Sequence, residues 1–86
     1  MRTTDDPVLA RVLDVIRANA LEIVPDADPQ AVVPHSSLAD IGANSIDRAD
    51  IVAMTMEQLG IVVPVAEFAQ VRDIGTLAEL LRRHLP

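Results

Sequence analysis

Apolar residues recur along this chain at three- and four-residue steps, and prolines and capping residues fence those runs into separate helices. From Pro7 to Val24, the residues Leu9, Val12, Leu13, Ile16, Ala20 and Ile23 make one helical stripe, with Arg11, Asp14, Arg17 and Glu22 largely off it. Asp6 is a capping residue, Pro7 suits a first helical position, and Pro25 stops the run. A helix over residues 7–24 would be about 27 Å long, enough to cross a small domain. Phe68 is the single aromatic among 86 residues, so the core packs Leu, Ile, Val, Ala and Met. A chain this short forms one domain, read here as residues 1–86.

Residues 25–44 read as a loop of about twenty residues, with Pro25, Pro29, Pro34, Ser36, Ser37 and Gly42 breaking every periodicity. Loops of that length are usually functional or tied down by their own side chains, here Val32, Val33, Leu38 and Ile41. A second helix is expected over residues 45–59. Asn44 is its N-cap, Asp47 completes an acidic variant of the capping box, and Gly60 stands just past its end. Ile51, Val52, Thr55, Met56 and Leu59 share its inward face, while Ile46, Asp50, Ala53 and Glu57 share the outward one. A short helix over 64–68, started by Pro64 and facing the second helix, and a last helix over 76–85 complete the chain. Thr76 and Glu79 form a capping box for the last one, and Leu77, Leu80, Leu81 and Leu85 its inward stripe. The fold class is all-α: three main helices and one short one, with the long loop between the first two.

Charge and composition exclude several activities. Thirteen acidic residues oppose seven bases, all of them Arg, for a net charge of −6. Nucleic acid is a poor partner without clustered cations, and partners with basic patches are favoured. With no Cys and no Lys there is no thiolate metal site, cysteine nucleophile or Schiff base. His35 and His84 are too few for a histidine metal site, and Asp26 and Asp28 lack calcium-loop spacing. His35 beside Ser36 and Ser37 is no hydrolase signature, because a triad is a geometry and adjacency does not supply it. No catalytic residue and no metal ligand is assigned. Met1–Pro7 is polar and acidic, unlike a signal peptide, and the apolar stretch 60–66 is too short to span a bilayer. A cytoplasmic monomer without a membrane role is expected.

The segment Asp40-Ile41-Gly42-Ala43-Asn44-Ser45-Ile46-Asp47 remains. Ser45 opens a helix whose first N–H groups lack intrahelical partners, a setting that suits a phosphate. Taken alone, an ordinary cap followed by a first helical residue is the commoner meaning of that pattern. The stretch Leu38–Asp47, however, resembles the phosphopantetheine attachment site of acyl carrier proteins, whose usual core is Leu-Gly-x-Asp-Ser-Leu. Chain length, acidity and helix order resemble that family too. The resemblance implies an acyl-carrier-like four-helix bundle in which Ser45 carries 4′-phosphopantetheine, transferred from coenzyme A by a phosphopantetheinyl transferase. It implies a non-catalytic protein that presents acyl thioesters to other enzymes. One departure is Asn44 where the family usually has Asp: it keeps the cap and removes a carboxylate that transferases commonly recognise.

Gly42–Ile51, Met54-Thr55-Met56 and Val65-Ala66-Glu67-Phe68-Ala69 are similar to a narrower group, the free-standing donor carriers of polyketide β-branching cassettes. That likeness implies a malonyl or acetyl cargo. It also implies three partners: an acyltransferase, a decarboxylating ketosynthase-like enzyme and a hydroxymethylglutaryl-synthase-like enzyme. Ser45 with Asn44, Ile46, Asp47, Arg48, Asp50, Ala53, Glu57 and Phe68 are then the attachment and recognition residues. Arg48, a cation on an otherwise acidic face, either selects the synthase or covers Val52 with its stem. Phe68 is either core or a surface beside Ser45, Met56 is core, and Met54 is a candidate contact. The alternatives are a general fatty acid or polyketide carrier and an unmodified helical adapter.

Overall fold

A computed structural model describes residues 6–86. Residues 1–5, read above as part of a polar start rather than a targeting segment, lie outside the described residues. Among the described residues three α-helices form the body: α1 (Pro7–Ile23), α2 (Ser45–Leu59) and α3 (Ile74–Arg83). Two 3-10 helices accompany them, Pro29–Ala31 within the long connection and Val65–Gln70 between α2 and α3. The all-α expectation holds, and among the described residues no strand occurs.

Asp6 opens α1 by accepting from the backbone N–H groups of Val8 and Leu9 at 3.0 and 3.1 Å. The helix closes at Ile23, one residue before the expected end. Val24 has left helical geometry at φ −123°, ψ 76°, as the residue ahead of a proline is pushed to do. α1 packs on both α2 and α3. Leu9, Val12, Ile16 and Ala20 meet Ile51 from α2 and Ile74, Leu77, Ala78, Leu80 and Leu81 from α3, all buried. That core removes aliphatic surface from water, worth roughly 25 cal/mol per Å².

Asn19 is buried in α1 although no apolar stripe marks it. Its Nδ2 donates to Thr55 Oγ1 at 2.9 Å and to Gln58 Oε1 at 3.1 Å, while the Thr55 hydroxyl donates to the Ile51 carbonyl at 2.8 Å. A buried amide without partners would cost about 1–3 kcal/mol. Meeting that demand holds α1 and α2 at one axial register.

The sequence expectation for the last helix needs correction. α3 starts at Ile74, two residues before position 76, and ends at Arg83 with His84 as its cap and Leu85 half-buried beyond it. Asp73 is the N-cap: it accepts from Thr76 N at 2.8 Å, and Thr76 Oγ1 accepts from Asp73 N at 3.0 Å. Thr76 is therefore the third helical residue, and Glu79 is exposed. The earlier start is favoured from outside the helix. Ile74 N donates to the Ser36 carbonyl and Gly75 N to the Pro34 carbonyl, both at 2.8 Å. A Cβ on Gly75 would lie 3.1 Å from the Pro34 carbonyl oxygen, so a side chain there would push the connection back by a few tenths of an ångström.

The short helix also differs. It spans Val65–Gln70 rather than 64–68, is a 3-10 helix, and has Pro64 outside it at ψ 137°. It packs on α3, with His84 Nε2 2.8 Å from Glu67 Oε1. The link before it runs extended, with Ile61 and Val63 buried and Val62 exposed between them. Among the described residues no helix is long and apolar enough to cross a membrane.

Two cap carboxylates titrate below the usual range. Asp73 is lowered by the Thr76 N–H and hydroxyl, with Arg72 and His35 adding to it; Asp6 is lowered chiefly by the Leu9 N–H and then by Arg82, whose Nε lies 2.6 Å away. A depressed folded-state pKa contributes stability in full above the unfolded value and loses it as pH falls through the folded one. Melting followed from about pH 5 to pH 2 should show the midpoint falling. In Asp73→Asn, which keeps an acceptor cap without a titrating group, that fall should be smaller; an equal fall would mean the cap carboxylate is not its source.

Candidate functional site

The long connection arrives at α2 as a folded platform. Ser37 N donates to Asp40 Oδ2 at 2.9 Å and Asp40 N to Ser37 Oγ at 3.0 Å, a reciprocal turn between residues three apart in the sequence. Ala43 N then donates to the Leu38 carbonyl and Gly42 N to the Ala39 carbonyl. Gly42 sits at φ +99°, a region that side chains other than glycine's rarely enter. Leu38, Ile41 and Ala43 are buried, and Val32 anchors the earlier part, where Arg17 Nη2 donates to its carbonyl at 3.0 Å. The apolar side chains thus fasten the loop to the core, and its polar end is left at the surface.

Asn44 caps α2, accepting from Asp47 N at 2.8 Å, and Asp47 Oδ2 accepts from Asn44 N at 3.2 Å. Ser45 is the first helical residue and is exposed. Arg48, one turn on, donates from Nη2 to Ser45 Oγ at 3.2 Å. A cation that donates to the hydroxyl oxygen leaves the hydroxyl's own proton for an incoming base and favours negative charge nearby. The first N–H groups of the helix and its dipole add to that preference.

The outward face presents Ile46, 72% exposed, together with exposed Asp50, Ala53 and Glu57. Asp47 is half-buried with one carboxylate oxygen committed to the cap, so it has less to offer a partner than Asp50 or Glu57. Phe68 packs half-buried against the core from the 3-10 helix on α3. Met56 packs likewise, and Met54 is half-buried. Arg48 lines an open cleft of about 310 Å³ together with Leu38, Val71, Arg72, Asp73 and Leu77. Of these cleft residues only Arg48 is a site residue in the sequence reading; the others lie in two further segments that no local pattern joins to it. A larger groove of about 470 Å³ adjoins it across Val71 and Arg72 but is lined by Glu67, Glu79 and Arg83 and does not include Arg48. Among the described residues no group of three or more His, Asp or Glu is placed to hold a metal ion.

The site's geometry therefore suits covalent attachment of an anionic group. It offers an exposed hydroxyl at a helix start, a guanidinium on its oxygen, open space around it and an apolar-walled cleft nearby. Gly42→Ala forces a side chain into the positive-φ region two residues before the cap and should cost about 1–2 kcal/mol of stability. Urea denaturation measures it; an unchanged midpoint would show that the platform does not need this conformation.

Comparison with known proteins agrees with this geometry. The family model described as phosphopantetheine attachment site matches residues 7–81. The chain is 38% identical over 71 residues to the polyketide biosynthesis acyl-carrier-protein AcpK of Bacillus subtilis strain 168, covering 83% of this chain and 87% of that protein. No solved structure gives a significant match. With residues 7–81 matched by one family model and a 38% identical relative covering most of the chain, the chain belongs to the phosphopantetheine attachment site family, as a non-catalytic acyl carrier protein domain.

Proposed function

We propose that the chain is an acyl carrier of polyketide biosynthesis, that Ser45 bears its 4′-phosphopantetheine, and that its role is the malonyl and acetyl donor in β-branching. The observation that carries the attachment residue is the exposed Ser45 hydroxyl, first in α2 and hydrogen-bonded by Arg48. The similarity to a carrier named for polyketide biosynthesis supports the pathway class. The Asn44-Ser45-Ile46-Asp47-Arg48 sequence, with its single cation on α2, supports the donor role.

When bound, phosphopantetheine supplies a flexible arm ending in a thiol that holds acyl groups as thioesters. Ser45 supplies the ester oxygen, and the buried platform of Leu38, Ile41 and Ala43 keeps it at the surface. Tethering raises the effective concentration of cargo at each partner's active site. α2 is the docking handle: Ile46 fits a shallow apolar hollow, and Asp50 and Glu57 meet basic residues around a partner's entrance, which tunes encounter rate and selectivity. The partners of this reading are a phosphopantetheinyl transferase, an acyltransferase, a decarboxylating ketosynthase-like enzyme and a hydroxymethylglutaryl-synthase-like enzyme, met in the cytoplasm.

Incubation with coenzyme A, magnesium and a broad-specificity transferase should add one phosphopantetheinyl mass to the intact protein and none to Ser45→Ala. Gain in that variant would move the attachment elsewhere. Crosslinking through the arm tests the donor role: capture should favour the hydroxymethylglutaryl-synthase-like enzyme over a chain-elongating ketosynthase. The reverse preference would leave a general carrier.

A further inference from the structure

We infer that Arg48 clamps the phosphodiester of the prosthetic group, fixing the root of the arm on the cleft side of α2. The inference rests on Ser45 being the attachment residue. Arg48 Nη2 already lies 3.2 Å from Ser45 Oγ. In a phosphodiester built on that oxygen, phosphorus is one bond away and its charged non-bridging oxygens two. They fall within reach of the same guanidinium without any change of backbone.

Charge around the position assigns the work to Arg48. Asp47, two residues from Ser45, repels an added anion, and its carboxylate is held in place by the Asn44 N–H. Asn44 is neutral and spends its side-chain oxygen on Asp47 N. The helix dipole is worth only a modest amount at an exposed terminus. Arg72 lines the same cleft, but it stands beside the Asp73 carboxylate, whose pKa it helps to lower. Arg48 thus balances Asp47 before loading and turns its donors to the phosphodiester afterwards, where a planar fork of N–H groups can engage two oxygens at once.

Position gives the clamp a direction. The Arg48 side chain is half-buried and lines the cleft with Leu38, Val71 and Leu77. A phosphodiester held by its guanidinium is drawn toward that rim and away from the outward face of Ile46, Asp50 and Glu57. The docking face stays uncovered while the arm's root is restrained. Arg48 is a positioning residue in this role, acting on the tether and not on the acyl group.

The test compares apo and loaded protein, with loading verified by intact mass, for the native chain, Arg48→Lys and Arg48→Gln. In low salt, loading should raise the melting midpoint of the native chain by about 2–4 °C relative to Arg48→Gln, the scale of an exposed charge pair in a domain this size. That difference should shrink in high salt. Lys, a point charge without the fork, should retain part of it. Because the Arg48 side chain also lines the cleft, a second readout uses the native chain alone: the arginine Nε–Hε signal of Arg48 should shift between the apo and the loaded protein. Equal loading-dependent midpoints in native chain and Arg48→Gln, with an unmoved Arg48 signal, would overturn the clamp and leave the attachment reading intact. Failure of Ser45 to load would overturn both.

Discussion

The first two N–H groups of α3 donate to carbonyls of Pro34 and Ser36, and the rest of the molecule is organised around that contact. It satisfies donors that a helix start would otherwise leave to water. It also closes the long connection onto the bundle, so that residues 37–44 begin from a fixed point. The absence of a side chain at position 75 eases the approach: a Cβ there would press on Pro34, which would have to give by a few tenths of an ångström. From this anchor, the Ser37–Asp40 turn and the buried Leu38, Ile41 and Ala43 deliver the start of α2 in one orientation.

Stability and function are kept apart along α2. Its inward face holds Ile51 and Thr55, with Thr55 joined to Asn19 of α1 in a satisfied buried network. Such networks specify alignment more than they add energy. Its outward face carries an exposed isoleucine and carboxylates with no evident packing duty. Arg48 lies between the two, its guanidinium at Ser45 and its side chain lining the cleft. To the two roles expected from sequence, covering Val52 and selecting the synthase, the structure adds contact with the hydroxyl itself.

What could be read from the residues follows the range of the forces. The capping of α2 by Asn44 and Asp47 closes within four residues, as does the start of α1 at Asp6 and Pro7, so local sequence sufficed for both. The start of α3 was misread because Thr76 and Glu79 have the spacing of a capping box. Asp73 and Thr76 also form a box, and bonds to Pro34 and Ser36, about forty residues away in the chain, favour the earlier one. The short helix runs to Gln70, beyond the expected 64–68, where it meets α3 through the Glu67–His84 contact, a pairing of residues seventeen positions apart.

The sequence by itself determined an all-α fold with an aliphatic core, the two inward stripes of α1 and α2, and an uncovered serine behind an asparagine cap. These depend on periodicity and on bonds between near neighbours. Tertiary structure alone decided that Asn19 would be buried and satisfied, that Gly75 would admit a carbonyl, and that Leu38, Arg48, Val71 and Leu77 would share a cleft. Each of those depends on which segments meet in space, and no local pattern of residue types encodes a meeting between distant parts of the chain.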